Sequence, residues 1–214
     1  MKGTDVGAPI GVLESCRGDR LMLEELTYRV GEELAAAVGI TGAAIATASS
    51  DQVRRPLVYI QRALQSFMTV HQLLQLPRLR TRVDAHAYLR TLCDEISVSK
   101  LEYRGVELHY LEQGPMRLDS EQCWRTGLIV AELITWAAQP AHYSPCRRIS
   151  VELCGVGFRV QCTVRAEGSG GQRSLPAPRL GIVSALADEL MGRLIWESRT
   201  GATACTLVFP WIDL

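Results

Sequence analysis

The chain has 214 residues, enough for one domain or two small ones with real cores. At 47% hydrophobic and 21% charged it reads as globular, not disordered. Lys plus Arg and Asp plus Glu balance at 23 each, which excludes broad steering toward nucleic acid or an anionic membrane.

In chain order, residues 1–19 read as a Gly-rich tail; Glu14, Arg17 and Asp19 leave no apolar signal core. Apolar residues then fall at Leu23, Leu26, Val30, Leu34, Val38 and Ile45, steps that mark one face of a helix. Ser49, Ser50 and Asp51 form a stop and a new N-cap. A second stripe follows at Val53, Leu57, Ile60, Leu64, Phe67, His71 and Leu74, alternating by four and three like a packed seam. Such a hairpin, spanning 20–77, is too small to bury both faces, and pairing two into a dimeric four-helix bundle solves that. Pro77 ends the second helix. Arg78-Leu79-Arg80-Thr81-Arg82 reads as a solvated connector rather than a phosphate clamp.

From 83 to 214 the pattern is α+β. Helices are expected at about 84–101, 119–138 (capped by Asp119 or Ser120) and 180–191, with Gly192 as the C′ residue. Strands are expected at about 106–111, 151–153, 158–160, 193–198 and 203–209. Helices gathered on one face of a mixed sheet make a two-layer sandwich. The richest apolar stretch, 127–138, is interrupted by Glu132, so no membrane span is expected and cytoplasm is the default. Seven cysteines, at 16, 93, 123, 146, 154, 162 and 205, show no C-x-x-C pair, so buried thiols are expected and a zinc site is not.

Several segments carry a resemblance. Leu21-Met22-Leu23-Glu24-Glu25-Leu26-Thr27-Tyr28-Arg29-Val30-Gly31-Glu32-Glu33-Leu34 is similar to the phosphoacceptor helix of one bacterial sensor histidine kinase branch, of the form Leu-x-x-Glu-Leu-x-His-Arg-Val-x-Asn-x-Leu. Val70-His71-Gln72-Leu73-Leu74 is similar to the end of that branch's second helix. Tyr88-Leu89-Arg90-Thr91-Leu92-Cys93, the stretch 127–133, the stretch 180–193 and Gly201-Ala202-Thr203 with Phe209-Pro210 resemble landmarks of its GHKL-type ATPase domain. The match runs from about 20 to 211 in the right order. It implies a dimerisation hairpin followed by an ATPase-like sandwich.

The resemblance breaks where the chemistry belongs. The family's phosphate-accepting histidine corresponds to Tyr28, whose phenol, with a pKa near ~10, is a poor nucleophile at neutral pH. In Ala131-Glu132-Leu133-Ile134-Thr135-Trp136-Ala137-Ala138-Gln139-Pro140-Ala141, the magnesium-carrying Asn of the family's Glu-Leu-x-x-Asn-Ala-x-Lys-His helix corresponds to Trp136. Indole has one N–H and no oxygen to offer a hard cation. Gln139 and Pro140 replace the Lys and His. Ala166-Glu167-Gly168-Ser169-Gly170 aligns with the Asp-x-Gly-x-Gly box, leaving Ala166 where an Asp would hold adenine. A register shift that puts Glu167 in the adenine role is the alternative. Glu132 remains, but a base without metal or adenine anchor does little.

Four histidines are the candidates for a replacement phosphoacceptor. His71 lies on the seam, His86 near the connector and exposed, His109 in a strand, His142 in a loop, and none is at the kinase position. Tyr28, Glu32, Ala35, Ala36, Gly39 and Ala43 share one helical face. The resemblance implies that a response regulator's receiver domain docks on this face; tight packing against the chain's own second helix is the other reading.

The sequence thus describes a degenerate histidine-kinase-like protein with no catalytic residues, no cofactor and no metal, a cytoplasmic homodimer that binds a receiver domain or another regulator. The alternatives are a histidine phosphotransferase built on kinase architecture and a GHKL-type ATPase with a non-standard site.

Overall fold

The computed structural model describes residues 10–77, 79–139, 146–168, 177–199 and 201–211. Two long helices, α1 (Ile10–Thr47) and α2 (Asp51–Leu73), form an antiparallel hairpin. Helix α1 begins well inside the stretch expected to be a tail; nothing from 10 to 19 breaks a helix except Gly11 and Gly18, which cost only about 1 kcal/mol each. Position 142 and the second glycine of the 168–170 pair lie outside the described residues.

The rest is α+β. Strand β1 (Arg82–Asp84) leads into α3 (Ala85–Ile96), a π-helical turn (Ser97–Leu101) and a short 3₁₀ turn (Glu102–Arg104). Then come β2 (Glu107–Gln113), β3 (Arg117–Asp119), α4 (Ser120–Ala137), β4 (Arg148–Val156), β5 (Arg159–Glu167), α5 (Ala177–Glu189), β6 (Arg193–Arg199) and β7 (Ala202–Pro210). The main sheet runs β2-β4-β5-β7-β6, with β2 parallel to β4 and the remaining pairs antiparallel. Strands β1 and β3 pair separately, a ribbon the sequence reading missed because three residues are too few to show alternation.

Alternation in β5 explains the layering: Val160, Cys162, Val164 and Ala166 are buried while the residues between them are not. The buried side meets α3, α4 and α5 through Leu89, Leu92, Ile96, Ile129, Leu133 and Val183. Local chemistry sets the helix ends. Asp84 caps α3 by accepting from His86 N and Ala87 N, which holds its carboxyl below the ordinary value. Asp119 caps α4 in a capping box with Gln122. After α5, Met191 takes the left-handed conformation (φ 52°) expected for Gly192. Gly192 answers a different need: a Cβ there would stand 2.8 Å from the Val208 carbonyl oxygen.

Cys93, Cys123, Cys146, Cys162 and Cys205 are buried, and Cys154 is partly exposed. Burial pushes the thiols of Cys123, Cys162 and Cys205 up to about 12. Because the thiolate is the reactive form, the five buried thiols should resist a disulfide reagent until the protein unfolds, and Cys154 should react before any of them. Counting modified thiols before and after denaturant, by mass spectrometry, checks this; rapid native labelling of Cys162 or Cys205 contradicts it.

One segment, Glu25–Thr47, is long and apolar enough to cross a membrane by length and composition alone. The expectation of no such stretch therefore fails. Its large apolar residues, among them Val30, Leu34, Val38, Ile40 and Ile45, are scattered among alanines, glycines and threonines and form no continuous run.

Candidate functional site

Helix α4 sets the first half of the site. Its capping box fixes the start of the helix, and one helical turn later than Glu132 comes Trp136 on the same face. Trp136 is only 3% exposed and meets Trp196 of β6 edge-on, with ring centroids 5.2 Å apart. Such a contact is favourable by roughly 0.5–1.5 kcal/mol beyond the area it buries. Two indoles thus meet at the end of α4.

Glu132 is not left as a free base. Arg179, near the start of α5, donates to its Oε2 at 2.8 Å. Lys100 of the π-helical turn lies close enough that Glu132 favours its charge, against a larger lowering from burial. The far end of α5 is tied to the same helix by Arg125 Nε, which donates to Glu189 at 2.7 Å. Arg125 also reaches Glu121 at 3.2 Å, and Arg80 donates twice to Glu121, at 3.1 and 2.9 Å. Helix α5 is therefore pinned to α4 by an ion pair at each end.

Ala166 is 1% exposed in the core face of β5, between Ile149 and Thr203 on the neighbouring strands. Glu167 points to the opposite face and lies 3.8 Å from Arg148. The alternation of the strand thus places Ala166 and Glu167 on opposite faces of β5. Gly168 adopts φ 84° and donates to the Gly201 carbonyl at 2.9 Å, so the glycine signal reflects a real turn.

The second candidate region is on α1. Tyr28 is 63% exposed, and a hydrogen bond to Glu32 raises its phenol above the ordinary value. Glu32, Ala35, Ala36, Gly39 and Ala43 are all exposed as well, and a Cβ added at Gly39 would meet nothing within 4 Å. The side that packs on α2 is a different one, carrying Leu34, Val38, Gly42 and Ile45. Packing against the chain's own second helix does not account for the six residues.

The histidines are dispersed. His71 is partly buried on α2, and His109 is exposed on β2, 3.5 Å from Glu107. His86, expected to be exposed, is buried, its Nδ1 hydrogen-bonded to the Tyr110 hydroxyl at 2.8 Å. It sits in the first turn of α3, and the cap at Asp84 turns that face inward. No histidine among the described residues shares the Tyr28 face, and no group of His, Cys, Asp and Glu there could hold a metal.

No family model and no curated protein matches the sequence. Solved structures do match. The histidine kinase domain of the Erythrobacter litoralis blue-light activated histidine kinase superposes with TM-score 0.55 at 16% identity, covering 84% of this chain and 96% of that one. The Acinetobacter baumannii histidine kinase AdeS gives 0.51 at 14% identity, over 84% and 96%. This is the sensor histidine kinase fold. A structure described as a bacterial phosphotransferase shares it, with TM-score 0.55 at 10% identity over 96% of this chain and all of that one. At these identities the likeness is one of fold. On this fold the sandwich holds Trp136, the buried Ala166 and the Glu132–Arg179 ion pair. Arg179 and Trp196 were invisible to sequence reasoning, because an ion pair between residues 47 apart leaves no local pattern.

Proposed function

We propose that this chain is a non-catalytic, histidine-kinase-like protein of two-component signalling that acts by binding a receiver domain as a homodimer in the cytoplasm. One contrast carries the reading: the ATPase layer is filled by Trp136 and closed by Glu132–Arg179, while the Tyr28–Ala43 face of α1 stands open. Small side chains at Ala35, Ala36, Gly39 and Ala43 let another helix approach closely. Nucleic acid has no role here, since the charges balance. Charged Glu25, Arg29, Glu32 and Glu33 argue against a membrane role for the apolar part of α1, each costing about 2.5–3.5 kcal/mol at the centre of a bilayer for the acidic and basic types measured.

The likeness to a bacterial phosphotransferase favours a second reading, in which the chain relays phosphate. Such a protein needs a phosphorylatable side chain on the docking face, and Tyr28 is the sole aromatic or imidazole group there. The two readings separate in one experiment. The full chain is incubated with receiver domains from the same cell, native and phosphorylated. Binding without transfer of label is expected. Ala36→Arg or Gly39→Arg should weaken binding at least about 100-fold, since a desolvated charge would hold the helices apart, whereas Tyr28→Phe should change it little. Acid-labile label on this chain that vanishes on replacing His71 or His86 would establish the phosphotransferase instead. No binding to any receiver would sink both.

A further inference from the structure

The joint between hairpin and sandwich is built from side chains that neither the kinase resemblance nor the docking face uses. The last carbonyls of a helix have no partner within it. At the end of α2 two of them are taken up by the α/β layer: the Tyr88 hydroxyl donates to the Leu73 carbonyl at 3.0 Å, and Trp124 Nε1–H donates to the Leu74 carbonyl at 2.9 Å. Tyr88 comes from α3 and Trp124 from α4, so two helices grip one helix end. Gly127 makes room for this, since a Cβ there would stand 2.5 Å from the Tyr88 hydroxyl.

The connector beyond is held in the same way. Ser120 N donates to the Thr81 carbonyl at 2.8 Å, Ser120 Oγ donates to the Leu79 carbonyl at 2.9 Å, and Thr81 N donates back to Ser120 Oγ at 3.2 Å. Arg80 adds its paired hydrogen bonds to Glu121. Along α2 itself, Ser66 and Val70 are buried, and Arg62 lies 3.5 Å from Glu102.

We infer that residues 74–77 and 79–81 form a strap, not a hinge: Tyr88, Trp124 and Ser120 lock the helical hairpin and the α/β sandwich into one rigid body. A kinase that phosphorylates its own helix must carry its nucleotide to that helix, because in-line transfer needs contact between donor and acceptor. A locked joint suits a protein that does not. The α/β layer stays on the α2 side, and residues 28–43 of α1 remain uncovered without any signal. The strap is independent of what binds α1, so either can fail alone.

Hydrogen exchange on the full chain tests it. The amides of Leu74, Gln75 and Thr81 are bonded and should be protected in the native protein. The pair Tyr88→Phe and Trp124→Phe removes both grips, the first keeping its ring and the second leaving a smaller aromatic ring in place of the indole, and should speed exchange in peptides covering 74–81 at least roughly 25-fold, each hydrogen bond contributing about a factor of five. Peptides from β4 and β5 should be unchanged. Arg80→Gln, a surface change, should give a smaller rise in the same segment. Native exchange in 74–81 at the rate of an unstructured peptide overturns the strap. So does a rise that spreads equally to β4 and β5 in every variant, which would make these side chains ordinary core contributors.

Discussion

The double substitution Trp136→Asn with Ala166→Asp, which rebuilds two missing kinase residues, is expected to unfold the α/β layer instead of restoring nucleotide binding. Trp136 is buried and fills the space at the end of α4 against Trp196. Removing a buried aromatic side chain costs about 3–5 kcal/mol. Ala166 sits in the core face of β5, with hydrophobic neighbours and the Thr203 strand position beside it. A carboxyl placed there without a partner adds about 1–3 kcal/mol more. Against a total stability of about 5–15 kcal/mol, that is most of what the domain has. Thermal melting should fall by at least about 10 °C, and calorimetry should show no ATP-magnesium site tighter than about 1 mM in either protein. A micromolar, magnesium-dependent site in the native chain would promote the ATPase reading. A stable double variant would show that the buried indole is not essential to the packing at the end of α4.

Replacing Ile60 by Asp should convert the protein from dimer to monomer. In the single chain Leu26, Val30, Val53 and Ile60 are each around half exposed, although they belong to the apolar stripes of the hairpin. If a second copy covers them, each regains roughly 1 kcal/mol of hydrophobic burial in each protomer, a gain that works against the cost of association. A carboxylate in that seam is desolvated twice over, once in each copy. Because Ile60 is not in the core of one chain, the substitution should leave the circular dichroism spectrum intact. Light scattering should then report a mass near 23.6 kDa for the variant and twice that for the native chain. A native protein that already runs as a monomer refutes the bundle. It would also reopen the question of what the apolar stretch Glu25–Thr47 faces.

Much of the fold was legible because its signals are periodic. The four-three spacing through Val53, Ile60 and Phe67 is a helix whatever surrounds it, and Asp119 followed by Gln122 announces the start of α4. Gly168 and Gly201, in two separate connections, both take the positive φ that glycine favours. What stayed hidden depends on distant residues. The Glu132–Arg179 pair, the Trp136–Trp196 contact and the grip of Trp124 on Leu74 join positions far apart in the chain, and nothing local distinguishes those side chains from solvated ones. His86 was misplaced for the same reason, since its burial follows from where α3 lands on β2. The start of α1 was lost to two glycines that a long helix tolerates.

Strand β2 is parallel to its only neighbour in the main sheet, and that carries a consequence for how the chain is made. Its partner β4 lies beyond β3 and α4, more than thirty residues downstream, whereas β4 and β5 meet across the tight turn at Gly157. At a ribosomal pace of about 5–20 residues per second, β2 waits for seconds with its backbone unpaired, long after the α1–α2 hairpin has closed in microseconds. During that interval Leu108 and Tyr110 have only α3 to shelter them. The sheet is therefore expected to nucleate at the β4–β5 hairpin, with β2 able to join only once β4 has been made, and a nascent chain stalled before residue 148 leaves an open strand edge for other chains to pair with.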